Sequence, residues 1–223
     1  MPPVIEHAPR LIDVSVPDRP SGVVLVLHGG ADHGGGVAVS PTQLSVLRMV
    51  PVARRIARAG GDDLAVFRLL NRFRGWNADD TSVHDARWAL AEIETRLGPG
   101  LPACLVGHSL GGRAALLTAP HPAVRSAVAL APWVYPDDVP PGLDGERLLI
   151  VHGDRDRVAS PARSLALAQR LRRVVPTEYV TVEGGKHAML RHHRRFDGLA
   201  AEFAVETLQG ETSGRPATAA RAA

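Results

Sequence analysis

The chain has 223 residues, 45% of them hydrophobic, enough for one sizeable core and too few for two comfortable domains. Its 26 basic and 23 acidic side chains leave a formal charge of +3, and the arginines are scattered apart from short clusters, which excludes a nucleic-acid footprint. A single cysteine, Cys104, the absence of a basic-then-apolar leader and the lack of any apolar run near the ~20 residues of a membrane span predict a cytoplasmic protein with no membrane association.

Along the chain, short apolar runs alternate with longer helix-periodic segments. The proline-bearing stretch Met1 to Pro9 reads as extended or loose. Strands are expected at Leu11 to Val16 and Val23 to Leu27, followed by the glycine-rich loop Ala31-Asp32-His33-Gly34-Gly35-Gly36. No Gly-Lys-Ser/Thr follows that loop, so it is no phosphate cradle. A helical face covers Arg54 to Ala59, with Pro51 expected near a helix start because a proline in a helix interior removes a hydrogen bond. A strand at Leu64 to Leu69 precedes a helix at Val83 to Leu97, where Ser82 and Asp85 have the spacing of a capping box.

The strand Ala103 to Val106 leads to a helix at Arg113 to Ala119, and strands follow at Ser126 to Leu130 and Leu148 to Val151. Ser160-Pro161 places an N-cap and a first-turn proline before a helix at Ala162 to Val174. The strand Glu178 to Val182 and a helix at Leu190 to Leu208 complete the pattern. This alternation implies an α/β fold: a mostly parallel central sheet of about seven strands with helices on both faces. Residues 1–208 are read as a single domain, and 209–223, rich in Ala, Gly, Thr and Ser without apolar periodicity, as a disordered tail.

The chemistry is concentrated at the ends of strands. In Gly107-His108-Ser109-Leu110-Gly111, an apolar strand ends at a serine bracketed by glycines and a helix follows, the layout of a nucleophile elbow. A serine hydroxyl needs a base and a group to orient that base. Two later strand ends provide them: His152-Gly153-Asp154-Arg155-Asp156-Arg157-Val158 carries two candidate acids, and Gly184-Gly185-Lys186-His187 carries the base. The order serine, aspartate, histidine is that of the nucleophile-elbow hydrolases.

With these motifs, and with His28-Gly29-Gly30 after the first central strand, the sequence from His28 to about Leu208 resembles the α/β-hydrolase superfamily, in particular its lidless serine esterases and dienelactone-hydrolase-like members. The resemblance implies the α/β-hydrolase fold and a triad of Ser109, Asp156 and His187. Asp156 is chosen because it matches the family's His-Gly-x-x-Asp pattern with Val158 after it; Asp154 is the alternative acid. The oxyanion would be held by the backbone N–H of Leu110 and of Gly30, with Ala31 as the alternative to Gly30. His28 is expected to be a structural hydrogen-bonding group beneath that loop.

Arg72, Arg74, Trp76 and Trp133 are candidate substrate-binding residues, an arginine gripping a substrate carboxylate or phosphate. The basic run Arg191 to Arg195 is read as a solvated helix start, and no metal or other cofactor is expected. Residues 131–147 are too few for a large lid, so an open pocket accepting a small-molecule ester or thioester is expected. A peptidase, amidase or acyltransferase on the same triad, and a non-catalytic ligand-binding homologue, are the rival readings.

Overall fold

The computed structural model describes residues 7–30, 36–76 and 80–210. Strands β1 (Arg10–Ser15), β2 (Gly22–Leu27), β3 (Leu64–Leu70), β4 (Ala103–His108), β5 (Val124–Leu130), β6 (Arg147–Gly153) and β7 (Thr177–Val182) form one sheet. Its order is β1-β3-β2-β4-β5-β6-β7. Only β1 runs antiparallel to its neighbour, and all the other pairings are parallel. The helices are α1 (Leu44–Gly60), α2 (Thr81–Leu97), α3 (Leu110–Thr118), α4 (Pro161–Leu171) and α5 (His193–Gln209).

Buried on both faces, β2 and β4 are continuous apolar runs rather than alternating ones. Val23, Leu25 and Leu27 point toward the layer of α2, α3 and α4, while Val24 and Val26 point toward α1 and α5. Helix α5 buries Phe196, Leu199, Phe203 and Leu208 against the second face, each worth about 1.5–3 kcal/mol relative to exposure. That burial, more than intrinsic propensity, holds the helix in place.

Two local expectations are corrected. Pro51 lies inside α1, which begins well before the predicted segment. An interior proline costs about 3 kcal/mol. Here its ring is exposed, as is Leu47, whose carbonyl loses its intrahelical partner, and the buried stripe Val46, Met49, Val52 and Ile56 outweighs the cost. Nor do Ser82 and Asp85 form a capping box. Helix α2 starts at Thr81 behind the left-handed Asp80 (φ 52°), Ser82 is buried within the first turn, and Asp85 is turned toward Arg72. Ser160 caps α4 as expected, accepting from the Arg163 N–H with Pro161 in the first turn.

After β2 the chain adds β3 on one side and then returns to add β4 on the other, so the crevice at the carboxyl ends of β2 and β4 is where an open α/β sheet collects a ligand. Residues 131–146, between β5 and β6, contain no helix, and among the described residues no large lid covers that crevice. Gln209, placed in the tail by its composition, is the last residue of α5; positions 211–223 lie outside the described residues.

Candidate active site

Ser109 sits between the last residue of β4 and the first of α3 with φ 56° and ψ −119°. Such a conformation costs a non-glycine residue about 1–3 kcal/mol and persists only where the surroundings impose it. The surroundings are backbone. A Cβ on Gly107 would stand 2.0 Å from the Gly111 carbonyl oxygen, and one on Gly111 would stand 2.5 Å from that of His28. The Ser109 N–H donates to the Leu130 carbonyl, and its own carbonyl accepts from Arg113 and Trp133.

A second glycine pair joins the loops after β6 and β7. A Cβ on Gly153 would fall 2.3 Å from Gly185 backbone atoms, and the Arg155 N–H donates to the Gly185 carbonyl at 3.0 Å. This close approach brings Asp156 to His187. Its Oδ2 lies 2.8 Å from His187 Nδ1, and His187 Nε2 lies 3.0 Å from Ser109 Oγ. Asp154, two residues earlier, is exposed and forms no hydrogen bond with His187.

Asp156 is held by more than His187. Its Oδ1 accepts from the backbone N–H groups of Val158 (2.8 Å) and Ala159 (3.0 Å), and Oδ2 is also 3.1 Å from Nε2 of the fully buried His152. His152 Nδ1 in turn is 2.7 Å from Ser164 Oγ, and Tyr179 Oη stands 3.2 Å from that hydroxyl. An ionised carboxylate accepts only, so His152 Nε2 and His187 Nδ1 both carry protons toward it. His187 Nε2 is then free to accept from Ser109, and His152 Nδ1 to accept from Ser164. Burial alone would push the Asp156 carboxyl up, but the hydrogen bonds from His152, His187 and Val158 prevail and hold it well below the usual carboxylate range.

Further groups fix the His187 loop. His108, on β4, donates from Nε2 to the His187 carbonyl at 2.9 Å, and burial pushes its pKa down to about 3, so the ring is neutral. Arg48 donates to the Ala188 carbonyl (3.0 Å) while pairing with Asp197 on α5 at 2.8 Å; both of these side chains are buried. The sequence motifs identified neither His152, His108 nor Arg48. Only the position of His152 and His108 within the two matched motifs hinted at them.

His28 donates from Nδ1 to the Gly29 carbonyl and accepts the Asn71 N–H at Nε2, and burial lowers its pKa. It is the structural ring expected beneath the glycine loop. Gly29, Gly30, Ser45, Leu110, Trp133 and Val158 surround Ser109 and His187 in a pocket of about 380 Å³. A Cβ on Gly30 would collide with the Arg74 carbonyl at 1.8 Å. As first residue of α3, Leu110 has an N–H with no intrahelical partner. Ala31 lies outside the described residues.

Of the other candidates, Trp133 lines this pocket, whereas Arg72 donates from its backbone N–H (2.9 Å) and its Nε (2.7 Å) to the buried Asp85. Trp76 stacks under the Arg113 guanidinium, 4.2 Å from its ring centroid, and Arg113 is fixed by Asp138. Arg74 is exposed and contributes its carbonyl to the packing of Gly30. Arg191, His193, Arg194 and Arg195 are exposed at the start of α5. Among the described residues no cluster of three or more His, Cys, Asp or Glu side chains is arranged to hold a metal ion, and no helix is long and apolar enough to cross a membrane.

The sheet order, the elbow and the three strand-end loops define the α/β-hydrolase fold. Solved structures agree. An α/β serine hydrolase homologue from Coxiella burnetii superposes with a TM-score of 0.66 at 19% identity, covering 87% of this chain and 90% of that one. An esterase from Thermogutta terrifontis, with butyrate bound, gives 0.65 at 18% identity over 91% of each chain. An esterase from Butyrivibrio proteoclasticus carrying ferulic acid gives 0.64 at 16%, covering 90% of this chain and 96% of that one. No protein-family model and no curated protein sequence matches the chain.

Proposed function

We propose that the protein is a serine hydrolase that cleaves a small carboxylic ester or thioester through an acyl-enzyme on Ser109. The observation that carries this reading is the unbroken hydrogen-bonded series from Ser109 Oγ through His187 to the ionised Asp156, opening into a pocket. Esterases among the structures of the same fold support the choice of ester chemistry.

In the first step Ser109 Oγ attacks the carbonyl carbon as His187 Nε2 takes its proton, and Asp156 stabilises the imidazolium and keeps the ring in the useful tautomer. The Leu110 and Gly30 N–H groups receive the developing oxyanion. Collapse breaks the bond to the leaving oxygen or sulfur, which takes the proton from His187. Water then adds to the acyl carbon, giving a proton to His187, and the acid departs as that proton returns to Ser109. Trp133 borders the acyl pocket. Amide cleavage and acyl transfer use the same steps with a different leaving group or acceptor. A binding protein without turnover would leave the activated serine unused.

The test is covalent labelling by a fluorophosphonate probe, read by intact mass. One adduct on the wild type and none on Ser109→Ala or His187→Ala is expected. A folded wild type that stays unlabelled would sink the hydrolase reading.

A further inference from the structure

Beyond His187 the pocket continues into an open groove of about 700 Å³, formed by the loop after β6 and the loop after β7. Its rim is cationic: Arg155, Arg157 and Lys186 line it, all exposed, against the single exposed carboxylate of Asp154. The pairing of these cations differs from that of other arginines near the site. Arg48, Arg72 and Arg113 each reach a carboxylate, whereas the Arg155, Arg157 and Lys186 side chains form no ion pair or hydrogen bond among the described residues. Three unpaired cations on one wall of a cleft raise the local concentration of anions and orient them.

The chemistry of the site says which part of a substrate meets this wall. His187 must return its proton to the departing oxygen or sulfur, so the leaving group exits on the His187 side of Ser109. The groove and the Ser109 pocket share His187 and Val158. Building on the hydrolase reading above, we infer that the substrate is an ester or thioester whose leaving alcohol or thiol carries an anionic group, carboxylate or phosphate, held by Arg155, Arg157 and Lys186. The acyl group sits on the other side, near Leu110 and Trp133. Guanidinium groups suit either oxyanion, because their planar donors engage two oxygens at once.

The experiment compares kcat/KM on four acyl esters with the wild type and with the triple variant Arg155→Glu/Arg157→Glu/Lys186→Glu. Phenyl acetate serves as the neutral reference, 4-acetoxybenzoate and 4-acetoxyphenyl phosphate carry the charge on the leaving group, and the hemisuccinate ester of phenol carries it on the acyl group. The ratio of anionic-leaving-group to neutral ester is expected to fall about tenfold or more in the variant, equivalent to ~1.4 kcal/mol. In the wild type the same ratio should drop as salt rises from low to high ionic strength, because exposed charges are screened. A larger fall for the phosphate than for the carboxylate identifies the phosphate as the preferred anion, and the reverse identifies the carboxylate.

Phenyl acetate turnover that survives in the variant shows it is folded. An unchanged ratio then overturns the groove assignment alone, and an equal fall for the hemisuccinate overturns the assignment to the leaving-group side. Absence of turnover on all four esters, with no labelling of Ser109 by the fluorophosphonate, overturns the hydrolase reading and the groove assignment with it.

Discussion

At the β4–α3 elbow Ser109 is held by backbone packed against backbone, with Gly107 and Gly111 as the points of contact. At the β6–α4 loop Asp156 is held by hydrogen bonds, two from backbone N–H groups and two from histidine rings, with Ser164 and Tyr179 behind His152. The first arrangement admits almost no side-chain change and responds all or none. The second is built from separable donors, so its contributions can be removed one at a time.

The largest effect on stability should come from the elbow itself. A methyl group on Gly107 would have to displace the Gly111 carbonyl, and Gly107→Ala should lose about 3 kcal/mol or more of stability, read as a lowered denaturant midpoint. A Gly107→Ala protein as stable as the wild type would contradict the packing described. At the acid loop, Asp156→Asn should reduce kcat by about 10⁴-fold on a turned-over ester, because the carboxamide no longer fixes the tautomer of His187. The matching change at the exposed Asp154 should move kcat less than about threefold, within the small range of surface substitutions.

The next effect concerns the second histidine on the carboxylate. A hydrogen bond to a charged group contributes about 1.5–3 kcal/mol to stability, so His152→Leu should lower the denaturant midpoint by a corresponding amount. Losing that donor leaves Asp156 more basic and the His187 imidazolium better stabilised, so the acid limb of the pH–rate profile should move to higher pH. His152→Gln, which can still offer an amide N–H near the same place, should recover part of both. A profile unmoved by His152→Leu would make the ring mere packing.

A smaller effect should appear in the pH dependence of stability. Folding lowers the affinity of His108 and His28 for protons, so the unfolded chain binds protons near pH 6.5 that the folded chain refuses. Their contribution is therefore complete above that pH and is lost as pH falls toward the folded values. Asp156, also depressed, adds a further loss only below about pH 4. Denaturant titrations at pH 7.5, 5.5 and 4 should give successively lower midpoints, whereas equal midpoints would contradict the burial of these rings. Least of all, Cys104, whose thiol burial pushes up to about 12, should remain unreactive toward a disulfide reagent until the chain unfolds.

The same contrast explains what could be read from the chain. Strands β2 to β6 were legible because buried parallel strands are short apolar runs, and the elbow was legible because its backbone contacts demand glycine at fixed spacing. The start of α1 was not, since Pro51 is tolerated only through tertiary burial of the opposite face. Asp85 has capping-box spacing, yet its partner Arg72 comes from the preceding loop. The supports of the site lie farther still: Ser164 and Tyr179 come from different elements, and Arg48 reaches Asp197 from near the other end of the chain. No local pattern encodes such pairings.

The Arg48–Asp197 pair joins residues 149 positions apart, and Ser109 meets His187 across 78. During synthesis, therefore, the ribosome releases the elbow long before His187, its hydrogen-bond partner, and α5 emerges later still to dock against α1. In the hydrolase proposed above, a nascent chain would carry Ser109 as an ordinary alcohol until the loop bearing His187 had been made.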